Sequence, residues 1–279
     1  MKTVLSTLEL VEPRSLADAL RLLADRQPLV PLAGCTDLFV SLNAGMPPAS
    51  RYLDLWPLDQ LRKIRVVRGV LSIGALATFS DLIGSSLVKR HVPILAEAAR
   101  QIGAVQIQNR GTLGGNVVNA SPAGDSLPVL AAAEATLVLQ SAEGTRRVPF
   151  TAFYTGYRRT VMRSDELLVA IEVPPVEGRQ WFRKVGTRAA QAISKVVMAA
   201  VRAPHPRIAL GSVAPTVVRV PRTEAVLASG GSIEEAQAVL QTEIQPIDDL
   251  RSTAAYRRRV SANLLAAFWR QTCAEEKRA

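Results

Sequence analysis

Between Asn109 and Asp125 the chain reads NRGTLGGNVVNASPAGD, a run of small and polar residues set between two apolar helical segments. Gly111, Gly114 and Gly115 are expected to take left-handed conformations and to let the backbone come close to a ligand. Thr112, Asn116, Asn119 and Ser121 offer neutral hydrogen-bonding groups beside them. No acidic side chain stands in the run before Asp125, so nothing there repels an anion. The chemistry such a run suits is the cradling of a nucleotide diphosphate.

A shorter run, Leu32-Ala33-Gly34-Cys35-Thr36-Asp37-Leu38, has the same character. It follows the strand-like stretch Leu29 to Leu32 and opens a short amphipathic segment, Asp37 to Leu42. Unpaired backbone N–H groups at the start of such a segment attract a pyrophosphate. Thr36 and Asp37 can equally be a plain helix cap, and the cap itself exposes those donors. Cys35 stands alone: if its position requires a positive φ, the Cβ costs about 1 kcal/mol.

Other nucleotide signatures are absent. The spacing Gly111 to Gly115 is not G-x-G-x-x-G, no acidic ribose reader follows a second strand, and no lysine follows the glycines as in a P-loop. Cys35 and Cys273 are the only cysteines and lack partners at metal-ligand spacing, so no iron–sulfur cluster is expected on this chain. His91 and His205 have no nucleophile motif beside them.

Elements that position these runs are legible in pattern. Ser15 caps a helix with Leu16, Ala19, Leu20 and Leu23 on one face. Arg62 to Arg68 and Val70 to Ala75 read as a hairpin turning at Arg68-Gly69. Thr78 with Asp81 forms a capping box, and Pro93 starts a helix running to Gly103. Asp125 is placed to cap a helix through Ala133. Strands follow at Thr136 to Leu139, Arg146 to Pro149 and Glu166 to Val173. Pro174 to Arg179 is the expected domain boundary. Beyond it come strands at Trp181 to Val185, Ile193 to Val201 and Arg207 to Val213, then helices near Pro221, at Ser232 and at Ser252, an α+β layer of their own.

The 279 residues, 48% apolar and 21% charged, suit two domains. No apolar stretch spans a bilayer, since even Leu127 to Leu139 is broken by Glu134. Met1-Lys2-Thr3 does not open a secretion signal, so a cytoplasmic location is the expectation. The net charge of +10 raises nucleic-acid binding, but only 5% of residues are aromatic and none interleaves the arginines as a stacking surface. A dispersed basic surface suits solubility and the steering of acidic partners.

Several segments in order resemble one family: Ala33 to Leu38, Gln106-Ile107-Gln108-Asn109-Arg110-Gly111-Thr112-Leu113-Gly114-Gly115-Asn116, Ala120 to Asp125, Phe182-Arg183-Lys184-Val185-Gly186 with Arg188, and Ile208 to Pro215. Together they resemble the flavoprotein, or medium, subunits of the molybdenum hydroxylases, the xanthine dehydrogenase and aerobic carbon monoxide dehydrogenase family. The resemblance implies an α+β fold: a PCMH-type FAD-binding domain over 1–176, with subdomains of about 1–57 and 58–176. A CO dehydrogenase flavoprotein C-terminal-like domain over 177–279 would follow, a three-stranded sheet with helices.

It also implies an FAD site drawing on Leu32, Ala33, Gly34, Cys35, Thr36, Asp37, Leu38, Ile102, Gly103, Ile107, Gly111, Thr112, Gly114, Gly115, Asn116, Asn119, Ser121, Gly124, Asp125, Leu167, Leu168 and Lys184. In the family an aspartate like Asp125 lies close to the flavin and ribityl chain, and a lysine like Lys184 approaches the ring, where a cation stabilises the reduced form. Leu167 and Leu168 match positions near the isoalloxazine, or are ordinary strand core. The family pattern usually has glycine at Cys35 and often arginine at Gln108.

Implied partners are a large subunit with a molybdenum cofactor and a small subunit with two [2Fe-2S] clusters, assembled as a dimer of heterotrimers. This chain would take electrons from the small subunit and pass them to NAD, oxygen or a quinone. Two alternatives stand beside that reading: a nucleotide-binding or scaffold protein that has lost flavin, and a stand-alone flavin oxidase of the wider p-cresol methylhydroxylase-like fold. The second is disfavoured by the absence of a substrate domain and of a covalent-flavin histidine.

Overall fold

The computed structural model describes residues 8–25, 28–46, 48–189 and 191–274. Met1-Lys2-Thr3 lies outside them. The chain opens with β1 (Glu9–Val11), α1 (Leu16–Ala24), β2 (Val30–Leu32), α2 (Thr36–Asn43) and β3 (Arg51–Asp54). Three parallel strands in the order β1-β3-β2 make the first sheet. Ser15 accepts from the Asp18 amide at the start of α1, and Ala19, Leu20 and Leu23 pack onto Leu53, Leu55 and Leu58. The α2 helix buries none of its residues, although it carries Leu38, Phe39, Val40 and Leu42.

Next come β4 (Ile64–Val67), β5 (Val70–Gly74), α3 (Phe79–Gly84), α4 (Ser86–His91), α5 (Pro93–Arg100), α6 (Val105–Arg110), α7 (Leu113–Asn119) and α8 (Leu127–Ala132). They are followed by β6 (Thr136–Ser141), β7 (Gly144–Pro149), β8 (Tyr154–Gly156), β9 (Arg159–Thr160) and β10 (Leu167–Val173). An antiparallel sheet forms in the order β4-β5-β10-β6-β7, with β8 and β9 as a separate hairpin. The expected turn at Arg68-Gly69 joins β4 to β5, both residues at positive φ. The capping box of Thr78 and Asp81 is formed, and Pro93 occupies the first turn of α5.

Finally β11 (Arg179–Val185), β12 (Val196–Arg202), β13 (Arg207–Gly211), β14 (Val218–Arg219), α9 (Pro221–Ala228), α10 (Ile233–Glu243) and α11 (Ala254–Ala274) complete the chain. The last sheet has four antiparallel strands, not three, because two residues after the Ala214-Pro215 turn return to pair with β13. Two residues are too short to leave a period-two signal in the sequence. Its two faces are both buried: Val197, Ala199 and Val201 join the core under α5 and α8, while Met198, Ala200, Leu210 and Phe268 form a second core under α9 to α11. That double burial explains the unbroken apolar run Val196 to Val201.

Candidate functional site

The two glycine-bearing runs meet. A Cβ placed on Gly34 would lie 1.7 Å from the Arg110 carbonyl oxygen, so only glycine permits the contact. Arg110 is itself fixed, its guanidinium 3.7 Å above the Trp56 ring while Arg62 lies 3.9 Å from the same ring. Past Gly34, Cys35 takes a left-handed backbone, φ 65 and ψ 4, and starts α2. The amides of Thr36, Asp37 and Leu38 have no hydrogen-bond partner among the described residues, whereas the next one, Phe39, bonds to the Cys35 carbonyl.

The longer run is mostly helix, α6 and α7, rather than loop. Gly111, Gly114 and Gly115 are not left-handed; Gly111 has φ −62, and Gly114 and Gly115 lie within α7. Gly114 is required by crowding: a Cβ there would meet the Ala75 carbonyl oxygen at 2.6 Å. The first amides of α7 are also consumed, Leu113 by the Ala77 carbonyl, Gly114 by Ala75 and Gly115 by the Thr112 hydroxyl. A diphosphate could not claim them, so the open donors of this junction belong to α2.

Between α7 and the four-stranded sheet lies a cleft of about 650 Å³. One wall holds Asp37, Val40, Asn116, Asn119, Ser121 and Gly124, with Tyr157 and Arg158 from the β8–β9 turn. The opposite wall holds Ile193, Ser194, Ser212, Gln245, Asp249 and Arg257. The walls are fastened together: the Ser212 amide donates to the Pro122 carbonyl at 2.8 Å and the Ser194 hydroxyl to the Ala123 carbonyl at 3.3 Å. Arg257, buried, donates to the Ser212 carbonyl and to Asp249, each at 2.6 Å.

Beside this cleft Lys184 on β11 donates to Asp125 Oδ2 at 2.6 Å and to the Gln101 carbonyl at 2.8 Å, with both charged side chains under 10% exposed, at 6% and 8%. Asp125 therefore does not cap α8, whose N-cap Ser126 makes no capping bond; the lysine outcompetes the helix for the carboxylate. Asp125 Oδ1 is buried without a partner. Burial raises the Asp125 pKa, opposed by the Lys184 charge and hydrogen bond and by the nearby Ser194 hydroxyl.

Residues 6–176 match the family described as FAD binding domain in molybdopterin dehydrogenase, and residues 180–272 match the CO dehydrogenase flavoprotein C-terminal domain. This chain belongs to that flavoprotein family. It is 35% identical to the nicotinate dehydrogenase FAD-subunit of Eubacterium barkeri over 67% of this chain and 66% of that protein. It is 32% identical to the glyceraldehyde dehydrogenase medium chain of Sulfolobus acidocaldarius over 90% and 92%. Among solved structures, carbon monoxide dehydrogenase from Hydrogenophaga pseudoflava, in a form lacking the Mo-pyranopterin moiety of the molybdenum cofactor, superposes with a TM-score of 0.86 at 30% identity, covering 92% of this chain and 94% of that one.

In this flavoprotein the expected site residues fall into four sets. Asp37, Asn116, Asn119, Ser121 and Gly124 line the cleft, with Asp125 and Lys184 paired beside it. Leu32, Ala33, Gly34, Cys35, Thr36, Leu38, Gly111, Thr112, Gly114 and Gly115 build the junction between the runs. Ile102, Gly103 and Ile107 form the α5–α6 corner, where Gly103 has φ +59 and a Cβ would strike Ile107 at 2.6 Å. Leu167 and Leu168 are in strand core, 3% and 6% exposed, and do not line the cleft. Sequence reading missed Arg158, Ser194 and Asp249, which reach the cleft from distant loops, and Arg257, which reaches it from the first turn of α11. Ser212 lay within the quoted segment Ile208 to Pro215 and was the one available signal.

Proposed function

We propose that the chain holds FAD in this cleft and serves as the electron-delivering subunit of a molybdenum hydroxylase. Two features of the residues fit that cofactor. The buried, unpartnered Asp125 Oδ1 can accept from a hydroxyl or ring N–H, and the unpaired amides of Thr36, Asp37 and Leu38 suit a diphosphate. The observation that carries the reading is their conjunction: the start of α2, whose Asp37 lines a cleft of cofactor size, and the orphaned oxygen of Asp125, which follows Gly124 of the same lining.

The chemistry FAD supplies when bound is storage of two electrons, accepted singly and released singly or as a hydride. The protein's own share is positional. Gly34 and Gly114 bring the backbone together, Asn116, Asn119 and Ser121 present neutral polar groups to the cleft, and Lys184 places a cation where it opposes negative charge. Leu32, Ala33, Cys35, Leu38, Ile102, Gly103, Ile107, Gly111, Thr112, Gly115 and Gly124 complete the site as supporting residues, whereas Leu167 and Leu168 belong to the strand core. Residues 1–176 form its FAD-binding domain and 177–279 its C-terminal domain.

Electrons would arrive from a small subunit with two [2Fe-2S] clusters, reduced by a large subunit bearing the molybdenum cofactor, in a dimer of heterotrimers. They would leave to NAD, oxygen or a quinone. No described helix is long and apolar enough to cross a membrane, and a cytoplasmic setting accords with the reading. The test is the visible spectrum after incubation with FAD and removal of free cofactor. Flavin bands at about one per chain are expected; a folded protein that stays colourless, alone and with its partner subunits, overturns the proposal.

A further inference from the structure

Three successive carbonyls at the end of α5 are held from two directions. Gln108 on α6 turns its side-chain amide back and donates through Nε2 to the Arg100 and Ile102 carbonyls, each at 3.2 Å. The carbonyl between them, that of Gln101, accepts from Lys184 Nζ at 2.8 Å. The Arg100 and Gln101 carbonyls are those of the last residue of α5 and of its C-cap, left without intrahelical donors at the helix's negative end, and the Ile102 carbonyl lies just past the cap. Left alone they would turn to water; bridged by one carboxamide they become a fixed acceptor for the lysine.

The corner cannot easily compensate. Gly103 is left-handed, and the Ile107 side chain fills the space where its Cβ would be. Lys184 spends two of its three N–H groups on Gln101 and Asp125, so the loop carbonyl is half of what aims the ammonium. We infer that Gln108 is a positioning residue for the cofactor site: it fixes the loop that holds Lys184, and so sets where that cation stands beside Asp125. The inference rests on the FAD reading for its consequence, but not for its geometry.

The corner requires side-chain N–H groups that reach two carbonyls, which arginine can also supply. Gln108→Met keeps the length and removes the donors; Gln108→Arg keeps donors.

The experiment measures, on the purified full chain, the rate at which Lys184 is modified by an amine-reactive reagent, followed by mass spectrometry with exposed Lys89 as control. FAD affinity is measured in parallel across pH. Gln108→Met should raise Lys184 modification by about tenfold, weaken FAD binding by about tenfold and steepen its pH dependence, with Lys89 unchanged. Gln108→Arg should restore wild-type behaviour in all three. Unchanged Lys184 protection in folded Gln108→Met overturns the inference, as does loss of protection in Gln108→Arg, which decides alone if the methionine variant fails to fold. Wild-type chain that binds no FAD overturns the cofactor reading, while the modification rates still judge Gln108.

Discussion

Gly34 faces the carbonyl of Arg110 with no room for a methyl group between them, 1.7 Å being the distance a Cβ would have to accept. This contact joins the start of α2 to the α6–α7 corner, two places separated by more than 70 positions in the chain. Gly34→Ala should push them apart, lowering FAD affinity by tenfold or more, about 1.4 kcal/mol. Fluorescence titration with FAD checks it, with thermal melting as the control for folding.

Cys35 behaves in the opposite sense. Its φ of 65 burdens a residue with a Cβ, and its thiol donates to the Ala33 carbonyl at 3.4 Å. Cys35→Gly should stabilise the chain by about 1 kcal/mol, which chemical denaturation would register as a higher midpoint at constant slope.

The Lys184–Asp125 pair is buried, so removing one partner costs more than removing both. Lys184→Met should destabilise by about 3 kcal/mol, and adding Asp125→Asn should recover part of that loss. The lysine's charge and hydrogen bond oppose the upward push of burial on the Asp125 pKa. Without them the pKa rises further, and the carboxylate protonates at higher pH. FAD affinity of the single variant should therefore depend on pH in a range where the parent is flat, as parallel titrations would reveal.

Acid stability should centre on Glu166. Its buried carboxylate accepts from Arg146 Nε at 2.6 Å and Nη2 at 2.8 Å and from the Arg163 amide at 2.8 Å, bonds that lower its pKa below 4.5. A lowered folded value means that the stabilisation is complete above about 4.5 and is lost as pH falls through the folded pKa. Glu166→Gln should cost about 2 kcal/mol at neutral pH and flatten the acid limb of stability against pH, measured by urea unfolding.

Local pattern made most elements legible. Ser15, Thr78 with Asp81, Pro93 and Ser232 with Glu235 all mark helix starts that the fold uses, because capping depends on a few adjacent residues. What pattern could not supply was the competition for shared groups. Asp125 is a capable cap by type, yet a lysine 59 positions away takes it. Gly111, Gly114 and Gly115 look like flexible hinges, yet Gly114 admits Ala75 and Gly115 leaves room for the Thr112 hydroxyl, which a Cβ would approach to 2.8 Å. Glycine marks a place without a Cβ; it does not say whether backbone dihedrals, a protein neighbour or a ligand required the space.

The α2 helix buries none of its own side chains, so little holds it closed beyond its backbone bonds and the strand that feeds it. Occupancy of the cleft would then act on this segment as a missing piece of core, adding RT ln(1 + [L]/Kd) to its resistance to opening. Chains still waiting for cofactor would present Phe39 and Val40, 50% and 67% exposed, to proteases and chaperones, and cellular quality control could sort filled from empty subunits before any partner is met.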